Sequence, residues 1–222
     1  MTPDELLRQL YDFTLVGNAP AVLELTNAGL GMGLGPETLL YDALIPSLEE
    51  VGARFERGDF FVPEMLIAGK AMAGALEVLR PLLAETGAES IGTIVMGTVK
   101  GDVHDIGKNL VNIMFEGAGF QVIDLGVQVS PEKFIDAIRE HKPDVVGFSA
   151  FLTTTMPMFK ANMNALEKTG LRDQVIVMVG GAPVTQEYAD VVGADGYAAD
   201  ASAAVVRAKE LIKRRRAAVA SA

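Results

Sequence analysis

Through about Leu83 the apolar positions recur every three to four residues, and no stretch alternates with the period of two that a half-buried strand requires. The first half is therefore predicted to be all helix. Leu6, Leu7, Leu10, Tyr11 and Leu15 line one amphipathic face, and Asn18 ahead of Ala19-Pro20 has the chemistry of an N-cap for a second helix. Gly31, Gly33 and Gly35 interrupt the pattern. A third helix carries the stripe Leu40, Leu44, Leu48, Val51 and Phe55, and Gly58-Asp59 with Pro63 separates it from a fourth that runs to about Leu83. Four such helices predict a small bundle.

Beyond the small, polar segment Ala84-Glu85-Thr86-Gly87-Ala88-Glu89-Ser90 the period changes. Short apolar runs rich in β-branched residues occupy Thr93 to Val99, Phe120 to Leu125, Val145 to Phe148 and Val175 to Val179, with a weak one near Gly196-Tyr197. Helical patterns fall between and after them, over Lys108–Glu116, Pro131–His141, Met158–Lys168, Gln186–Val192 and Ala203–Arg215. Strands that are apolar throughout are buried on both faces, so five βα units predict an α/β, flavodoxin-like (Rossmann-type) parallel five-stranded sheet with helices on both sides. Two domains follow, residues 1–88 and 89–222. Ligands of such sheets bind beyond the carboxyl ends of the strands, which directs attention to the loops after Val99, Leu125, Phe148 and Val179.

Composition narrows the chemistry. The formal net charge of −10 disfavours a nucleic-acid or anionic-membrane partner. The basic run Lys213-Arg214-Arg215-Arg216 is expected to be a solvated helix end that suits the helix dipole. With no cysteine, thiolate metal sites, Fe–S clusters, disulfides and a cysteine nucleophile are excluded. The N-terminus lacks the layout of a signal peptide and no uncharged apolar run is long enough to span a bilayer, so a soluble, cytoplasmic protein is expected.

The loop after the first strand reads Lys100-Gly101-Asp102-Val103-His104-Asp105-Ile106-Gly107-Lys108-Asn109. It matches neither a dinucleotide fingerprint nor a phosphate loop, and the spacing is not that of a paired-histidine zinc helix. The other histidine, His141, falls at a helix end elsewhere in the topology. A lone loop histidine is often a surface or capping residue. This one stands where the fold should bind its ligand, with Asp102 placed to accept its second N–H and Gly107 allowing close approach to the backbone. One histidine with carboxylates does not complete a protein-only transition-metal site, whereas a metal already held by a macrocycle needs just one axial ligand. Met156, Met158 and Met163 are read as helix packing.

Asp102-x-His104-x-x-Gly107 resembles the D-x-H-x-x-G signature of cobalamin-binding domains whose cobalt is held by histidine. Phe148-Ser149-Ala150-Phe151-Leu152-Thr153 resembles that family's S-x-L segment, and Val179-Gly180-Gly181-Ala182 its closing glycine pair. Gly52 to Glu64, Gly-Ala-Arg-Phe-Glu-Arg-Gly-Asp-Phe-Phe-Val-Pro-Glu, is similar to the helical cap of methionine synthase and of corrinoid methyltransferase proteins. The resemblance extends over nearly the whole chain and is nearest to the free-standing corrinoid proteins of methanol, methylamine and methoxyarene systems.

The resemblance implies that the corrinoid's nucleotide tail is buried in the sheet domain while His104 takes its place on cobalt, with Asp102 bonded to the imidazole and Thr155 extending the relay. It places Gly101, Val103, Asp105, Ile106, Gly107 and Leu152 against the cofactor, Ser149 and Thr153 on the tail pocket, and Gly180, Gly181 and Ala201 beside them. Phe55 and Val62 would cover the upper face. The cofactor would be cobalamin or a related corrinoid, as methylcobalamin or hydroxocobalamin. The chain would be a non-catalytic methyl carrier, loaded by a substrate:corrinoid methyltransferase and unloaded by a corrinoid:acceptor methyltransferase toward a folate or coenzyme M, with a reductive activation protein restoring the cobalt. A cobalamin-dependent sensor would share both halves of the fold, and the cobalamin subunit of an isomerase would bind its cofactor without needing the helical cap. The acidic charge and lack of room for a DNA-binding domain argue against the first, and the Phe55 to Glu64 stretch against the second.

Overall fold

The computed structural model describes residues 1–86 and 91–220. Two compact units emerge, one formed by Met1–Ser90 with Ile113–Gly119 and the other by Ile91–Asn112 with Phe120–Ala222. The boundary expected between residues 88 and 89 lies outside the described residues.

The first unit contains α1 (Pro3–Leu15), α2 (Ala19–Gly31), α3 (Pro36–Leu39), α4 (Ile45–Glu56) and α5 (Val62–Thr86). Helix α1 starts with a capping box, in which the Thr2 N–H donates to Glu5 and the Glu5 N–H returns the bond to the Thr2 hydroxyl. Asn18 caps α2 as its position suggests, its Oδ1 accepting the Ala21 N–H at 3.3 Å. The third expected helix is longer and less regular than its stripe implies. It begins at Pro36, and Leu40–Leu44 is a π-helical turn closed by the Ile45 N–H on the Leu40 carbonyl. Pro46 explains the widening: it has no N–H to offer Asp42, and its ring would collide with that carbonyl in a regular helix. The Ser47 hydroxyl instead donates to the Leu44 carbonyl at 2.7 Å. Leu6, Leu10, Leu39, Leu44, Leu48, Met65 and Met72 are buried in the core of this unit.

The second unit is built on β1 (Thr93–Thr98), β2 (Gln121–Asp124), β3 (Val145–Ser149), β4 (Ile176–Gly180) and β5 (Gly196–Tyr197), all parallel in the order β2-β1-β3-β4-β5. The crossovers are α6 (Ile106–Gly117), α7 (Pro131–His141), α8 (Pro157–Lys168) and α9 (Gln186–Val192), and α10 (Ala201–Ala220) closes the chain. This is the α/β fold the alternating pattern predicts. Val95, Val146, Phe148 and Val177 pack with Phe134, Phe159, Met156 and Met163, so the methionine cluster is core. The register sets Thr98 of β1 against Ser149 of β3, and Ser149 against Gly180 of β4, aligning three strand ends on one edge.

Two boundaries depart from the pattern. Helix α6 starts at Ile106, two residues early, because the Asp105 carbonyl already accepts the Asn109 N–H at 2.8 Å. Ile106 and Gly107 therefore belong to a helix turn rather than to the loop. Helix α10 runs past the basic residues, and the run is not simply solvated. Arg215 donates to the Asp173 carbonyl at 2.7 Å, and Arg216 reaches the Ile91 carbonyl and Asp144.

Candidate functional site

Strand β1 ends at Thr98, and a tight turn through Gly101, whose φ of +86° suits glycine, lowers the chain into an irregular loop. Asp102 is wholly buried in that turn while His104, two residues on, leaves its side chain 44% exposed. One carboxylate oxygen of Asp102 accepts the main-chain N–H of His104 at 3.1 Å and lies 2.7 Å from His104 Nδ1. The other accepts the N–H groups of Phe151 at 2.8 Å and Leu152 at 3.2 Å, and lies 2.7 Å from the Thr155 hydroxyl. Thr155 Oγ1 is also 2.8 Å from the Leu152 carbonyl, so its single proton can serve either oxygen.

The electrostatics follow from this arrangement. Burial would raise the pKa of Asp102, but hydrogen bonds from Thr155, from the His104 and Phe151 N–H groups and from the His104 ring outweigh it and hold the carboxyl well below the usual carboxylate range. An ionised carboxylate can only accept. In the neutral imidazole Nδ1 therefore carries the proton and Nε2 the lone pair. Among the described residues nothing meets Nε2. The Phe151 ring stacks on the imidazole at 4.4 Å between centroids, which covers a face and leaves the nitrogen edge open.

Around this nitrogen the surface is unusually apolar, with Val103, Ile106, Phe151 and Leu152 all exposed. Asp105 and Thr153 are exposed as well, while Ser149 is half-buried at the end of β3 and Ala201 is buried at the start of α10. The glycines divide by role. A Cβ on Gly107 would meet nothing within 4 Å, and one on Gly180 nothing nearer than the Ala198 carbonyl at 4.0 Å. At Gly181, with φ +129°, a Cβ would fall 1.9 Å from the Ala150 carbonyl, so the protein's own packing demands glycine there. Gly107 and Gly180 instead leave backbone bare.

The structure thus brings Asp102, His104 and Thr155 into one bonded chain on the strand edge where the fold places its ligands, with Gly101, Val103, Ser149 and Leu152 on the segments that form that edge. Phe55, half-buried near the end of α4, and Val62, exposed at the start of α5, belong to the helical unit. Sequence reasoning missed Phe151 as a ring partner, and it missed Lys108, whose buried ammonium is held by Asp124 at 2.6 and 2.7 Å and by Asn109 at 2.7 Å. The apolar strand-end position of Phe151 was the available signal for the first; a lysine in a helix's first turn gives none for burial.

The donor set fits a corrinoid. Among the described residues no group of three or more His, Asp or Glu could hold a metal alone. One imidazole lone pair, an apolar shelf and two bare backbone faces suit a metal that arrives inside a large planar macrocycle.

Comparison with known proteins agrees. Residues 92–206 match the B12 binding domain family, and residues 6–80 match a second family of the same description. Dimethylamine corrinoid protein 1 of Methanosarcina acetivorans is 43% identical over 213 residues, covering 96% of this chain and 100% of that protein. Among solved structures, a methanol:cobalamin methyltransferase complex from Methanosarcina barkeri superposes with a TM-score of 0.84 at 30% identity, over 95% of this chain and 80% of that one. A cobalamin-binding protein from Desulfitobacterium hafniense gives 0.72 at 29% identity, over 94% and 98%. Among the described residues no helix is long and apolar enough to cross a membrane. With this fold, this edge and these relatives, the chain belongs to the B12-binding corrinoid proteins, the methyl carriers of methylamine- and methanol-type methyltransferase systems.

Proposed function

We propose that Nε2 of His104 is the lower axial ligand of the corrinoid's cobalt, that Asp102 and Thr155 tune that imidazole, and that the methyl group carried comes from a methylamine. The observation that carries the ligand assignment is the pairing of a half-exposed imidazole with a buried carboxylate at 2.7 Å, which orients the ring and points its lone pair outward. When bound, the corrinoid supplies a cobalt centre that takes a methyl group from one enzyme and yields it to another.

The chain's own work is to hold and adjust. Asp102 keeps the proton on Nδ1, and its negative charge makes the imidazole a better donor. The Thr155 proton can turn toward Asp102 or toward the Leu152 carbonyl as the charge on the ring changes. Gly101, Val103, Asp105, Ile106, Gly107 and Leu152 form the shelf beneath the macrocycle. Ser149, Thr153, Gly180, Gly181 and Ala201 take the nucleotide tail, with the bare face of Gly180 supporting a backbone contact there. Phe55 and Val62 are assigned to the corrinoid's upper face on the similarity of Gly52 to Glu64 to known caps.

The substrate assignment is supported by the full-length relatives named for dimethylamine. On this reading a methylamine:corrinoid methyltransferase loads the protein, a second methyltransferase unloads it, a reductive activation protein rescues oxidised cobalt, and all act in the cytoplasm.

His104→Ala tests the ligand assignment. The variant should keep the sheet's circular dichroism, bind the corrinoid more weakly and change its visible spectrum. An unchanged spectrum across oxidation states would refute it. Methyl transfer to the loaded protein from dimethylamine, and not from methanol, through the matching methyltransferase tests the substrate.

A further inference from the structure

We propose that Thr98 is a positioning residue for His104, acting through the main chain of the ligand loop rather than through the imidazole. The inference rests on the reading of His104 as the axial ligand. Thr98 is the last residue of β1 and its side chain is fully buried. A hydroxyl is retained at such a depth where it is hydrogen-bonded, and this one donates to the His104 carbonyl at 3.0 Å.

The donor is itself fixed. The Thr98 N–H is bonded to the Gly126 carbonyl at 3.0 Å and the Thr98 carbonyl to the Val129 N–H at 2.9 Å, so the hydroxyl projects from a strand clamped by the loop after β2. The loop it holds has no regular structure over residues 102–105. Its Asp102 carbonyl accepts the N–H of Gln128, a residue kept at φ +54°, at 3.0 Å. The His104 N–H turns inward to Asp102. Among the described residues, the Thr98 bond is thus the one tie between the main chain of His104 and the sheet.

Two points then define the imidazole. Asp102 fixes Nδ1, and Thr98 fixes the carbonyl at the other end of the residue. With both in place the ring cannot pivot about the carboxylate, and the height of Nε2 above the sheet edge is set. Loss of the hydroxyl frees the pivot while the Gln128 tie and the Asp102 bonds persist, so the loop loosens at its ligand without coming apart. Thr98 acts on the balance between His-bound and His-released cobalt, and it does so without changing any charge in the relay.

The test compares wild type, Thr98→Val, Thr98→Ser and His104→Ala, each grown with 15N-histidine and loaded with unlabelled cob(II)alamin. The 15N doublet that an axial imidazole of the protein imposes on the cobalt EPR lines reports the His-bound fraction, and amide exchange of residues 102–106 in corrinoid-free protein reports the loop. Val removes the hydroxyl at constant shape and should lower the His-bound to His-released ratio by about three- to tenfold, the range of one net hydrogen bond. It should also speed loop exchange, whereas Ser keeps both near wild type. Thr98→Ala removes the same hydroxyl and replaces the Val variant where that one does not fold. Equal ratios in wild type and the hydroxyl-deleted variant, with the 15N doublet lost in His104→Ala, overturn the role of Thr98 and leave the ligand assignment standing. A 15N doublet that persists in His104→Ala overturns the ligand assignment and, with it, this proposal.

Discussion

Two charged segments of this molecule, the loop after β1 and the turn joining α4 to α5, have similar sequences in one respect: each sets acidic residues within two or three positions of a cationic or ionisable side chain. They are built oppositely. In the turn, Arg57 bonds to Glu50 at 3.3 Å and Asp59 at 3.1 Å, and Arg54 bonds to Glu50 at 2.8 Å, all at or near the surface. In the loop, Asp102 is out of solvent and accepts bonds from three main-chain N–H groups, a hydroxyl and a ring. Water competes for every partner in the turn, whereas the Asp102 carboxylate in the loop is closed off from it. The charge in the turn is therefore dispensable, whereas the charge in the loop is committed to one arrangement, which is what a ligand-orienting carboxylate requires.

The largest expected effect is Asp102→Ala, which removes the buried acceptor of five donors and should cost about 3 kcal/mol in urea unfolding. Asp102→Asn, which keeps the size and loses the charge, should slow methyl transfer by about 10- to 100-fold and make reduction of the bound cobalt easier in a spectroelectrochemical titration. A pH series sharpens the point. Because the Asp102 carboxyl is held below its ordinary range, its stabilising contribution is complete above the unfolded-state value near 4, and it is lost as the pH falls from there toward the lower folded-state value. The gap in unfolding free energy between wild type and Asp102→Asn should accordingly be constant near neutrality and narrow below about pH 4.

Thr155→Val comes next. It deletes one hydroxyl bonded to Asp102 and should shift the same potential in the same direction by less, with a stability cost of about 0.5–1.5 kcal/mol. Arg57→Ala is the smallest, with no resolvable change in the unfolding midpoint. A large loss there would show that the turn is not the loose region described.

How much of this was readable in the amino-acid sequence depends on whether a role is local. Asp102, His104 and Gly107 lie within six positions, and their chemistry is legible because loop, carboxylate and imidazole occur together on the ligand edge of a recognisable α/β pattern. Thr155 was reached only through the resemblance, since its link to Asp102 spans 53 positions. Thr98 reads as an ordinary strand residue until its hydroxyl is seen on the His104 carbonyl. Gln128 gives no sign of its left-handed backbone, because the usual glycine or asparagine signal is missing. The π-helical turn before Pro46 and the early start of α6 show the same limit: hydrophobic period finds a helix, while single backbone donors decide where it begins and how it winds.

The most direct test of the central claim uses the two histidines of the chain, His104 and His141. Protein grown with 15N-histidine and loaded with unlabelled cob(II)alamin should show the cobalt EPR splitting change from the triplet of 14N to the doublet of 15N. The doublet should survive His141→Ala and vanish in His104→Ala. A triplet that persists in the labelled protein would mean that the corrinoid's own base, and not His104, holds the lower face of the cobalt.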